Sequence, residues 1–75
     1  MLIMFYDITG EEHWVKYETV KHISLSEEFL RIVLDTDTES YVIRFSSEND
    51  FNSAYDNLLD GILNGEPFVD FGGFQ

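Results

Sequence analysis

Cysteine is absent from the 75 residues and proline occurs once. Without thiols no disulfide staples the chain and no thiolate metal site forms, so a reducing compartment is the simpler home. Cations are nearly as scarce: four Lys and Arg stand against fifteen Asp and Glu, for a formal charge of -11. That balance argues against direct binding to nucleic acid or to an anionic membrane surface, because both attract Lys and Arg and repel carboxylates. Long apolar runs are missing too. Leu2 to Tyr6 is too short to span a bilayer and lacks the basic flank of a secretion signal. The expectation is a cytoplasmic protein with Met1 as its natural start.

What the chain does hold is apolar: 44% hydrophobic residues, twelve aromatics among them, exceed what a disordered acidic segment carries. One small folded domain follows, near the size at which burial only narrowly exceeds conformational entropy. Leu2 to Tyr6 reads as a strand covered on both faces, or one whose second face meets another subunit. From His13 to Leu25, Val15, Tyr17, Ile23 and Leu25 share one parity, which Val20 breaks, so a bulge or strand break is expected near Thr19. Phe29 to Leu34 reads as a central strand, and Tyr41, Ile43 and Phe45 give the next one a clear core face.

Helical spacing then places Phe51, Tyr55, Leu58 and Ile62 on one stripe. Ser47 with Asp50 approximates a capping box at its start, and Gly65 followed by Pro67 ends it. Gly61, inside the pattern, implies a close backbone approach. The fold expected is α+β: a four- or five-stranded antiparallel meander sheet with one C-terminal amphipathic helix packed on one face. Residues 1–67 form its single domain. Residues 68–75 form a Phe-rich tail, docked or partner-binding. The expected core is Ile3, Phe5, Val15, Tyr17, Ile32, Leu34, Tyr41, Ile43, Phe45, Phe51, Tyr55, Leu58 and Ile62, with the parity of Ile32 and Leu34 against Phe29 and Val33 left open.

Candidate chemistry is thin. Asp35-x-Asp-x-Glu39 begins like a calcium loop, but the sixth and twelfth positions are Ser40 and Ser46 where Gly and Glu are needed. His13 and His22 fall on opposite parity of a continuous strand and converge only through the expected break. No serine sits in a nucleophile elbow, and no Gly-rich loop joins a strand to a helix. The chain is therefore read as non-enzymatic, with no catalytic residue, no metal site and no cofactor.

Charge is what remains, and it is uneven: the 41 residues from Asp35 onward hold -8 of the total, and no cation follows Arg44. Asp35, Asp37, Glu39, Glu48, Asp50, Asp56 and Asp60 are the expected contacts for a protein partner with a basic surface. Trp14, Phe71 and Phe74 are aromatic candidates for the same role. In composition and size the chain resembles the small acidic inhibitors that phages and mobile elements direct at restriction, repair or CRISPR enzymes. That resemblance implies carboxylates occupying a nucleic-acid-binding groove. The alternative is an assembly subunit whose acidity serves solubility and whose sheet edge or Phe-rich tail joins copies into a homo-oligomer.

Overall fold

The computed structural model describes residues 1–73. In chain order the elements are β1 (Leu2–Tyr6), β2 (Glu12–Lys16), a 3-10 turn (Tyr17–Thr19), β3 (Val20–Ser26), β4 (Arg31–Thr36), β5 (Ser40–Arg44), α1 (Glu48–Asn64) and β6 (Phe68–Gly73). The class is α+β, but the strands do not form one meander. They make two three-stranded sheets, ordered β2-β1-β6 and β3-β4-β5.

The division falls where the parity of the second apolar stretch fails. At Tyr17–Thr19 the chain turns tightly, with the Thr19 hydroxyl donating to the Lys16 carbonyl at 2.7 Å, and β3 leaves to pair with β4. A register irregularity between Val20 and His22 marks the same place. The second departure from the expected topology is β6, which returns after the helix to lie parallel to β1. Parallel pairing needs a long crossover, and residues 7–67 supply it.

One core cluster joins the inward faces of both sheets to a stripe of α1. Ile3 and Phe5 of β1, Ile32 and Leu34 of β4, and Ile43 of β5 are its most enclosed strand members. The β4 parity is thereby settled, with Val33 half-buried on the other face and Phe29 exposed in the turn that precedes the strand. Leu30 in that turn adopts φ 51°, a left-handed conformation unusual for a branched side chain.

The helix starts and stops as its sequence implies. Ser47 Oγ accepts the Asp50 amide at 3.1 Å, and Gly65 closes the last turn with φ 66°. Its buried stripe is different. Phe51, Ala54, Leu58 and Gly61 face inward, Tyr55 is half-buried and Ile62 is exposed. The small residues explain the rotation, because a Cβ on Gly61 would overlap Val69 Cγ2 of β6 and approach Met1 Sδ at 2.9 Å. Two side chains without bulk let α1 sit closer to β6 than a Tyr55/Ile62 stripe would allow. Tyr17 and Tyr41, also expected in the core, pack against it half-buried.

Residues 68–73 are no appendage. Val69 and Phe71 are buried in the shared core, so Phe71 is not free to serve as an exposed anchor. Phe74 lies outside the described residues.

Candidate partner-binding surface

The seven acids expected to act together divide between the end of β4 and its turn, the start of α1 and the outer side of that helix. Asp35 stands near the end of β4 and Asp37 and Glu39 in the β4–β5 connection, where the Thr36 amide donates to the Glu39 carbonyl at 2.8 Å and Thr36 Oγ1 accepts the Glu39 amide at 3.1 Å. Those bonds are the closure of a tight turn. Asp35 accepts from the Ser40 hydroxyl, so its carboxylate is occupied locally. The cleft beside this turn, about 510 Å³, is lined by Asp37 together with Lys16, Lys21, Glu18 and Trp14. Two of the chain's four cations therefore stand next to the turn and weaken its field.

Glu48 and Asp50 lie at the start of α1, beyond the far end of β5, where they favour the positive end of the helix dipole. Asp56 and Asp60 are exposed one turn apart on the outer side of α1. The structure gives these two acids neighbours that sequence order did not reveal. Asp60 shares a cleft of about 260 Å³ with Glu66, Asp70, Gly61 and Phe68. Asp56 shares another, of about 530 Å³, with Glu27, Leu25, Phe51 and Tyr55. Neither cleft is lined by a Lys or Arg. Glu27 is remote from α1 in sequence and Asp70 lies beyond its end, and the end of β3 and the return of β6 place them there.

Among the described residues the ion pairs are Met1 amine to Glu18 at 2.7 Å and His13 to Asp7 at 2.8 Å. None of the acids around α1 is in either. The Met1 amine holds the Glu18 carboxyl below its ordinary range, whereas the Glu39 carboxylate pushes the Tyr41 phenol up.

Trp14 projects from β2 on the outer face of the first sheet and is 54% exposed. Its ring lies 5.2 Å from that of Phe68, and the register sets the pair above Met4 and Leu2. Trp14 is thus both a cover for β1 and an accessible apolar surface.

The β1–β2 hairpin holds the densest polar group. Asp7 Oδ1 accepts from the Thr9 hydroxyl at 2.6 Å, the Thr9 amide at 2.8 Å and the Glu11 amide at 3.1 Å. Its Oδ2 lies 2.8 Å from His13 Nε2, and the imidazole stacks on Phe5 at 5.2 Å. The histidine partner is thus a carboxylate in the same hairpin, and His22 is exposed elsewhere. Asp7, Glu11 and His13 each bring a donor atom within 4.8 Å of the others, but Asp7 is already saturated by turn and imidazole, which accounts for the cluster as hairpin closure.

The Thr9 hydroxyl first, then His13 and the two amides, hold the Asp7 carboxyl far below its usual range. A folded-state value below the unfolded one, ordinarily about 3.9, means that ionised Asp7 favours folding. The contribution is complete above the unfolded value and is lost as pH falls through it toward the depressed one. Asp7→Asn is therefore expected to be less stable than the parent at pH 7, by a margin that is smaller near pH 2–3 and closes only below the depressed folded value. Urea unfolding at both values checks this, since the difference between the two proteins cancels the relief of general charge repulsion in acid. An equal gap at both pH values would remove the charge from the explanation.

Comparison with protein families, curated proteins and solved structures finds no match for this chain. No helix among the described residues is long and apolar enough to cross a membrane.

Proposed function

We propose that the chain is a non-enzymatic, cytoplasmic binding protein that presents an anionic face to a basic groove on a partner protein, in the manner of a nucleic-acid-mimicking inhibitor. The observation that carries this reading is the cation-free set Asp56, Asp60, Glu66, Asp70 and Glu27, gathered on two clefts along α1 and unpaired among the described residues. Carboxylates on a rigid support can offer a groove of Lys and Arg a field comparable to duplex DNA, which carries one charge per about 1.7 Å of axis. Such contacts accelerate association and are screened by salt.

The test uses proteins retained from host lysate on the immobilised chain at low salt. Those retained through the acidic face should bind duplex DNA, lose that binding when the chain is added, and be released between about 0.1 and 0.5 M salt, a range over which screening becomes severe. Asp60→Lys with Asp70→Lys should weaken retention at least tenfold; Asp37→Lys, beside Lys16 and Lys21, should weaken it much less. Retention indifferent to salt and to both reversals would sink the proposal.

A second reading, an assembly subunit, is favoured by the exposed Trp14–Phe68 pair. Sedimentation of Trp14→Ser against the parent distinguishes it: an oligomer that dissociates supports assembly through that sheet face.

A further inference from the structure

The helix carries a second apolar stripe that the fold leaves uncovered. Tyr55, Leu59 and Ile62 recur at i, i+4 and i+7 beside the buried stripe, and Leu63 adjoins them. Leu59 is 40% exposed, Ile62 39% and Leu63 79%. Across the cleft of about 530 Å³ stands Leu25 of β3, 44% exposed although its register partner is the fully buried Ile32. β3 is an edge strand, so the second sheet ends there. The result is an apolar trough lined by Leu25, Phe51 and Tyr55, from which Leu59 and Ile62 continue the exposed stripe along α1.

Its rim is charged with one sign. Glu27 and Asp56 line the cleft, Asp60 follows one turn along α1, and Lys16, Lys21, Arg31 and Arg44 are all absent from the lining. A second copy of this chain is a poor occupant, because it carries the same charge of -11 and would set carboxylate against carboxylate. A cationic segment has the complementary charge. The exposed stripe has helical spacing over Tyr55 to Leu63, a surface onto which another helix packs ridge into groove.

We propose that the trough between β3 and α1 receives a Lys- and Arg-bearing amphipathic helix of the partner protein, its apolar face against Leu25, Tyr55, Leu59 and Ile62 and its cations against Glu27 and Asp56. The inference rests on the reading of the chain as a binder of basic partners, and it adds the shape and the apolar anchor of what is bound. Charge alone attracts any polycation; the trough selects one with a helical apolar stripe.

The probe is an 18-residue peptide of Leu and Lys with Leu at helical spacing, compared with a scrambled peptide of identical composition and no stripe. At 0.15 M salt, roughly one Debye length of 8 Å, the amphipathic peptide should bind the full chain at least tenfold more tightly than the scramble. Side-chain NMR shifts should concentrate on Leu25, Tyr55, Leu59 and Ile62. Leu59→Ser with Leu63→Ser, both at exposed positions, should reduce binding to the level of the scramble while the thermal unfolding midpoint stays within a few degrees of the parent. Equal affinity for the two peptides would overturn the trough and leave the anionic face standing. Binding of neither, even at low salt, would overturn both. Shifts confined to β3 amides would mean a strand added at its edge, and self-association abolished by Leu63→Ser would mean a second copy in the trough; each overturns the proposal.

Discussion

Phe71→Ala is expected to lower the free energy of unfolding by about 3–5 kcal/mol, the usual cost of emptying a buried phenylalanine site. A chain of 75 residues has roughly 4–11 kcal/mol in total at 0.05–0.15 kcal/mol per residue, so this one change removes a large part of it. Phe71 is 6% exposed and sits in the cluster that holds Ile3, Phe5 and Phe51 together. That cluster draws its members from both sheets and the helix. Phe68→Ala is the control. Phe68 faces the other side of β6 against Trp14, so its loss should cost about 1 kcal/mol or less and change tryptophan fluorescence instead. Urea unfolding of the two variants decides the matter; similar midpoints would mean that β6 is a loosely docked tail. Removal of residues 68–75 should go further and abolish cooperative unfolding, because β1 loses its parallel partner and α1 loses the strand it packs on.

The second large effect is a substitution that helix propensity would recommend. Ala in place of Gly inside an exposed helix stabilises by about 1 kcal/mol. At Gly61 the sign should reverse. The added methyl would overlap Val69 Cγ2, and Val69 is β-branched, 5% exposed and fixed on β6, so it has little freedom to withdraw. Overpacking of this kind typically costs about 1–3 kcal/mol, which leaves Gly61→Ala less stable than the parent by up to about 2 kcal/mol once the propensity gain is subtracted. Met1 Sδ, at 2.9 Å from the added atom, is the end of a flexible side chain and can move. The clash is with one residue, so it should be suppressible. In a double-mutant cycle Val69→Ala should cost less in the Gly61→Ala background than in the parent, with a coupling of about 1 kcal/mol or more. Strict additivity would show that α1 adjusts its distance from β6 and that the glycine is dispensable.

These two sites also mark where the sequence was hard to read. Ser47, Asp50 and Gly65 announced both ends of α1, because capping is decided by residues adjacent in the chain. The break at Thr19 was legible for the same reason, as a local failure of alternation. The stripe was not. Tyr55 and Ile62 are more apolar than Ala54 and Gly61, and periodicity alone ranks side chains by hydrophobicity. Close packing ranked them by size, since the helix approaches β6 at the small residues. The tail was left between docking and partner binding for a related reason: three phenylalanines near a terminus say that a surface must cover them, without saying which. The candidate acids divided likewise. Asp56 and Asp60 could be placed on the outer side of a helix from spacing, whereas Glu27, Glu66 and Asp70 join them only through the fold.

By itself the sequence determined the α+β class, the limits of the helix, most of the strand core and a charge of -11 that directs interest toward cationic partners. Each of these follows from composition or from residues a few positions apart. Only the tertiary structure decided that the strands divide into two sheets, that β6 returns parallel to β1, and that Lys16 and Lys21 flank one acidic turn while the acids of α1 stand without cations. Those outcomes depend on contacts between segments tens of residues apart, whose pairing is chosen by the joint packing of the core and leaves no local periodic trace.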